Sequence, residues 1–361
     1  MTTMANGERS KWNYARRGAC LRCERFTSEA ITRRGRRFDR FAAPALLAVL
    51  IAFVSPLLAQ QPAPPPPPAA PAGAQIRRSV DLVVLPVSVV DKQGKFVGSL
   101  KEPNFRVYED KVEQKLAVFK REDIPVTMGL VIDNSGSMRE KRPRVNEAAL
   151  TLVESSNPDD QVFVVNFNED YYLDQPSDFT NNITVLKDAL SRIDSRGSTA
   201  LYDAVLASLN HLKLGTRQKR ALLVITDGED NASRHSLEYT VEAAERSNAV
   251  IYTIGLFSED DRSEARHAKR ALKALSEATG GMAFFPKTVD AVHQICLEVA
   301  KDIRNQYLLG YYPTNPQSNG GFRHVEVKLV DVPHDLGKLY VRTRAGYYPQ
   351  TATASPAASG N

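Results

Sequence analysis

The sequence predicts an α/β fold: a doubly wound, mostly parallel sheet inserted between two β segments that form a small β-sandwich. Three observations carry this expectation. Between Pro125 and about Asp302, strand-like runs that are apolar throughout alternate with stretches of helical period, the pattern of a parallel sheet covered on both faces. On either side, residues 76–122 and 305–349 are rich in alternating and β-branched positions and show no helical period. Each flank is too short to bury a sufficient core alone, so the economical solution is that the two pair with each other.

Composition narrows the classes. The chain has 361 residues, 42% hydrophobic and 25% charged, the balance of a soluble globular protein rather than a disordered or collagen-like one. Three cysteines exclude a disulfide scaffold. The net charge of +5 is carried by the N-terminus: residues 1–40 hold eleven Lys/Arg and four Asp/Glu, a net of +7, which leaves −2 for the rest. No basic patch marks the globular part as a nucleic-acid binder.

The first 59 residues read as an address. An Arg cluster (Arg33, Arg34, Arg36, Arg37, Arg40) precedes the uncharged run Phe41–Ala59, the order of a secretory signal. A cut after Ala59 is expected, with an uncleaved membrane anchor as the alternative; both place the remainder outside the cytoplasm, in the periplasm, at the cell surface or secreted. Cys20 and Cys23 form a C-x-x-C with no histidine anywhere in the first 200 residues, so zinc is not expected there. Residues 60–75 contain seven prolines, five of them consecutive, and read as a semi-rigid spacer. Residues 350–361 are small and polar, an expected disordered tail.

The elements follow in order. SVDLVVLPVSVVD is a strand ending at the turn Lys92-Gln93-Gly94. NFRVYED and QKLAVFKRED are expected to pair across Asp110-Lys111. In the central region VTMGLVID, QVFVVNF, RALLVIT and AVIYTIGL are buried strands and MAFF a short one. Helices are expected over Arg139–Glu154, Ile183–Ile193, Ala200–Leu214, Leu237–Arg246, Ser263–Ala278 and Val289–Ile303. The basic run Lys213–Arg220 reads as a solvated loop, and Cys296 as core packing. RHVEVKLVDV and KLYVRTRAGYY close the chain as strands on either side of the His334–Gly337 turn.

Ligands of open α/β sheets bind at the carboxyl ends of the strands. After VTMGLVI comes Asp133-Asn134-Ser135-Gly136-Ser137, after RALLVI comes Thr226-Asp227-Gly228, and Gly197-Ser198-Thr199 precedes a helix. Asp133, Ser135, Ser137, Thr199 and Asp227 together offer two carboxylates and three hydroxyls, a donor set for a hard divalent cation. With no His or Cys among them, zinc and copper are disfavoured. The bland alternative is that the first loop caps the next helix and the last is a plain turn.

D-x-S-G-S, then G-S-T-x-L-Y-D-A, then T-D-G, in that order, resembles the metal-ion-dependent adhesion site of von Willebrand factor type A domains. Pro158-Asp159-Asp160 before VFVVNF is also similar to that family. The resemblance covers Pro125 to about Asp302 and implies a Rossmann-like domain with the five residues as metal positions. The flanking segments resemble a secreted bacterial subgroup of related proteins.

The resemblance implies a mechanism. Ser135, Ser137 and Thr199 would bind the ion directly and Asp133 and Asp227 through water, leaving an electrophilic ion with an open position for a partner's acidic side chain. Magnesium is the expected ion, with manganese or calcium as alternatives. The implied function is an exported, non-enzymatic adhesion-type module. An envelope assembly scaffold using the same site is one alternative. A metal-assisted hydrolase or phosphatase is another, disfavoured because Ser135 and Ser137 sit in an acidic loop and Ser135 occupies the position where a phosphatase would need a second acid.

Overall fold

The computed structural model describes residues 82–349 apart from 122, 156, 193–194, 258–261 and 316–320. The expected leader at 1–59, with its Cys20–Cys23 pair and apolar run, the Pro-rich linker at 60–75 and the tail at 350–361 lie outside the described residues. Among the described residues no helix is long and apolar enough to cross a membrane.

The N-terminal flank forms β1 (Val83–Val90), β2 (Phe105–Glu109), β3 (Val112–Gln114) and β4 (Leu116–Lys120). Asp110 and Lys111 both take left-handed backbone, φ 46° and 70°, the type I′ geometry that joins a tight hairpin. The expected turn is present, but β2 pairs there with β3, residues 112–114, rather than with QKLAVFKRED as a whole. The run QKLAVFKRED is not one strand, however: Gln114 ends β3, and β4 opens at Leu116 in a different sheet.

The central region runs β5 (Val126–Asp133), α1 (Arg142–Glu154), β6 (Gln161–Phe167), β7 (Tyr171–Leu173), α2 (Ile183–Ser191), α3 (Leu201–Leu212), β8 (Lys219–Thr226), α4 (Leu237–Arg246), β9 (Val250–Gly255), α5 (Arg262–Thr279), β10 (Ala283–Phe284) and α6 (Ala291–Asn305). Its six strands lie in the order β10-β9-β8-β5-β6-β7, parallel except for β7. Every residue of β5 is buried, as a middle strand covered on both faces requires. Val126, Met128, Leu130 and Ile132 point into one apolar layer with α1, α2 and α6. Val131 points into the other, with α3, α4 and α5. On that second face Gly129 lets Phe163 and Leu222 close over the strand, since a Cβ there would sit 2.4 Å from Phe163 Cζ.

Two expectations for this region shift. α1 starts at Arg142 rather than near Arg139, after a separate 3-10 turn at Gly136–Met138. The basic run Lys213–Arg220 is not all solvated: Lys219 is 4% exposed and donates to the Ile303 carbonyl at 3.1 Å. Burial lowers its ammonium pKa to about 8. Asp160 accepts from the Val126 and Asn157 N–H groups, fixing the entry to β5. Cys296 is fully buried in the α1/α6 layer, and burial pushes its thiol up to about 12.

The C-terminal flank supplies β11 (Tyr307–Tyr311), β12 (Arg323–Leu329), β13 (Tyr340–Arg342) and β14 (Gly346–Tyr347). Strands of both flanks interleave in two antiparallel sheets, β13-β1-β11-β4 and β14-β12-β2-β3. Their inner faces share one apolar core containing Leu85, Val87, Phe105, Val107, Leu309 and Val325. Glu109, 2% exposed, is buried there but fully engaged: it accepts from Tyr311 Oη, Tyr347 Oη and Arg323 Nη1 at 2.8, 2.7 and 2.7 Å. This network ties β2, β11, β12 and β14 together.

Candidate metal centre

After β5 and β6 the chain crosses to the other side of β5 to lay down β8, so the order of the sheet reverses between β5 and β8. That reversal opens a crevice at the carboxyl ends of the two strands, the usual place for a ligand in such sheets. Ile132 of β5 pairs with Ile225 of β8, so the next residues, Asp133 and Thr226, emerge side by side. The Thr226 hydroxyl donates to Asp133 Oδ2 at 2.6 Å. The Ser135 N–H donates to Asp133 Oδ1 at 2.7 Å. Asp133 is thereby locked by both oxygens, and it is fully buried.

The serines lie above it. Ser135 Oγ is 3.2 Å from Ser137 Oγ, and Ser137 Oγ donates to Asp227 Oδ1 at 2.7 Å. A hydroxyl that gives its proton to a carboxylate keeps its lone pairs for a cation. Ser135 is 3% exposed, whereas Gly136 and Ser137 are exposed, so the site opens to solvent on the Ser137 side. These side chains do not cap α1: its N-cap is Lys141, with no side-chain cap, and Ser135 caps the 3-10 turn by position only.

Thr199 arrives from a third loop. Gly136 N–H donates to the Gly197 carbonyl at 3.5 Å, Arg196 N–H to Asn134 O at 3.2 Å and Arg139 Nη2 to Ser195 O at 2.9 Å, zipping the 195–199 loop to the Asp133 loop. On its other side the Thr199 N–H donates to Asn231 Oδ1 at 2.8 Å, and its carbonyl accepts from the Asn231 and Ala232 N–H groups. A Cβ on Gly228 would meet Thr199 Oγ1 at 3.4 Å, which places that hydroxyl against the Asp227-Gly228 turn. Asp133, Ser135, Ser137 and Asp227 are thus linked by direct hydrogen bonds through Ser135 and Ser137, and Thr199 joins them through backbone.

The family model for the von Willebrand factor type A domain matches residues 128–297. Residues 128–297 form a von Willebrand factor type A domain. Solved structures resemble the chain at low identity. The von Willebrand factor domain of the type V pili tip protein from Porphyromonas gingivalis is 12% identical, covers 50% of this chain and 95% of its own, and has a TM-score of 0.42. A von Willebrand factor type A protein from Catenulispora acidiphila is 14% identical over 70% of this chain and 75% of its own, TM-score 0.44. The PilB minor pilin from Streptococcus sanguinis is 15% identical over 52% and 63%, TM-score 0.43. Comparison with curated proteins found no match.

The electrostatics of the von Willebrand factor domain suit a cation at this crevice. Burial pushes Asp133 up to about 6, against the opposing hydrogen bonds from Thr226 and Ser135; a buried carboxylate gains from a positive charge beside it. One basic residue already reaches the crevice, and a second, buried one is influenced by the charge of Asp133. Lys141 Nζ donates to Asp227 Oδ2 at 2.5 Å, where the Asp227 side chain is 1% exposed. Arg142 is fully buried and donates through Nη2 to Asn166 Oδ1 at 2.7 Å. Burial lowers its pKa to about 10, while Asp133 and then Asp174 hold the charge in place. Among the described residues no group of three or more His, Cys, Asp and Glu could hold a metal; the candidate donors at this crevice are two carboxylates and three hydroxyls, all hard oxygens. Sequence reasoning missed Thr226, Lys141, Arg142 and Asn231. Thr226 had a readable signal, its place directly before Asp227; the other three are disclosed only by the fold.

Proposed function

We propose that this chain is an exported protein-binding module that captures an acidic side chain of a partner protein through a divalent cation held by Asp133, Ser135, Ser137, Thr199 and Asp227. The observation that carries the reading is the chain of hydroxyls over buried carboxylates: Ser135 Oγ against Ser137 Oγ, Ser137 Oγ donating to Asp227, and Asp133 locked beneath by Thr226 and Ser135. The carboxylates supply charge from a protected depth while Ser137 stands at the exposed rim, where a partner has access. When bound, the ion supplies Lewis acidity for a partner carboxylate; magnesium suits an all-oxygen set that retains waters, with manganese or calcium as substitutes. Export rests on the basic-then-apolar order of residues 33–59. The function is binding rather than catalysis, and nucleic acid is not a partner, because the excess positive charge is confined to residues 1–40.

The test is affinity capture from an envelope extract of the source organism with the full chain as bait. The reading predicts one or more proteins retained in Mg²⁺, released by EDTA and not retained by Asp133→Ala. Retention that survives both EDTA and Asp133→Ala contradicts it.

A further inference from the structure

Lys141 stands where the sequence gives no reason to expect it. It sits at the start of α1, the end of a helix that disfavours positive charge, and its ammonium reaches back to Asp227 Oδ2 at 2.5 Å. The carboxylate it meets is 1% exposed, whereas the Lys141 side chain is 29% exposed. It also donates to the Leu256 carbonyl over a long 3.4 Å. Asp227 Oδ1 already accepts from Ser137. Both oxygens of one candidate metal carboxylate are therefore taken, one by the neighbouring candidate ligand and the other by a mobile-stemmed cation.

We propose that Lys141 is a tethered cation that competes with the divalent ion for Asp227 and so sets how tightly this site holds metal. The inference rests on the metal-site reading above. The ammonium and the ion draw on the same carboxylate, and a unit positive charge a few ångströms from a dication opposes it by about tenfold in affinity even where water screens the pair. The four-carbon stem and partial exposure of Lys141 let it withdraw to solvent as the ion enters. The same contact could instead position Asp227 for the ion, and the two roles predict opposite signs: removing a competitor tightens binding, removing a positioning group loosens it.

The experiment is calorimetric titration of Mn²⁺ into the full chain, Lys141→Met, Lys141→Gln and Lys141→Arg. Thermal unfolding of each is followed in EDTA and at saturating Mn²⁺. Competition predicts about tenfold tighter Mn²⁺ binding in the Met and Gln variants and wild-type affinity in the Arg variant. It also predicts a crossover: in EDTA the Met variant melts below wild type, because Asp227 has lost its counter-charge, and Mn²⁺ removes the deficit. Equal or weaker affinity in both Met and Gln variants, with wild-type binding intact, overturns the inference alone. No Mn²⁺ binding by wild type or any variant overturns the metal-site reading and this inference with it.

Discussion

Single residues in this chain take their character from what surrounds them. Asp133 and Asp227 are the same chemical group at the ends of two neighbouring strands. Asp133 is sealed by Thr226 and the Ser135 backbone, while Asp227 is held by Ser137 and Lys141. His211 shows the same dependence away from the crevice. It is 2% exposed, with its ring 4.6 Å from that of Phe163 and 5.0 Å from that of Phe179, and a ring nitrogen lies 2.8 Å from the Asp178 carbonyl. Burial lowers its pKa below the ordinary histidine value, against the pull of that carbonyl. Between the lowered folded value and the ordinary unfolded value near 6.5, the unfolded chain takes up a proton that the native state refuses. Stability from this residue is therefore complete above about pH 6.5 and declines as pH falls through that window. Scanning calorimetry at about pH 7.5 and about pH 5.5 should show a smaller melting-temperature loss on acidification for His211→Gln than for wild type. Equal losses would show that His211 contributes nothing to the acid sensitivity.

At the scale of elements, legibility followed burial pattern. The parallel strands were readable because each carries an unbroken apolar run of four or five residues, MGLVI in β5, VFVV in β6 and ALLVI in β8, as a strand covered on both faces requires. The candidates Asp133, Ser135, Ser137 and Asp227 were readable for the same reason, since each lies where such a run stops, whereas Thr199 precedes α3 and was readable only from its loop. What was not readable is where short elements divide. QKLAVFKRED reads as one strand by alternation, but Gln114 completes the hairpin with β2 while Leu116 opens β4 beside β11; alternation reports a strand's two faces and not which sheet it joins. β7 has three residues, too few to show a period. The start of α1 carried a usable signal, Pro143 in the first turn, yet the apolar spacing extended the expected helix back to Arg139. Lys141 and Arg142 were opaque because basic residues at a helix start read as solvated. Only the fold sets Lys141 on Asp227 and Arg142 on Asn166 Oδ1 and the Leu190 carbonyl.

At the scale of the molecule, the von Willebrand factor domain presents its crevice at the carboxyl ends of β5 and β8, and the sandwich attaches elsewhere. Arg342 pairs with Asp302 near the end of α6 at 2.5 Å and donates to the Gly280 carbonyl at 3.2 Å. Arg344 bonds Asn248, just before β9, and the Val84 carbonyl at 3.0 Å. These anchors sit at the strand starts, which leaves the crevice free of the chain's own β segments. The sandwich is composite: β1 lies between β13 and β11, and β2 between β12 and β3. A chain ending at Asn305 removes both neighbours of β1 and one of β2. Limited proteolysis of that chain is expected to cut rapidly within 82–120 while 125–305 resists. Protection of 82–120 would contradict a shared sandwich. The central claim, that the crevice holds a divalent cation for a partner's carboxylate, is tested most directly by anomalous scattering from a crystal of the protein grown with Mn²⁺. The account predicts one strong peak within bonding distance of Ser135 Oγ and Ser137 Oγ, lost in Asp133→Ala. A crystal with these side chains ordered as here and no peak between them, or a peak at another site alone, would contradict it.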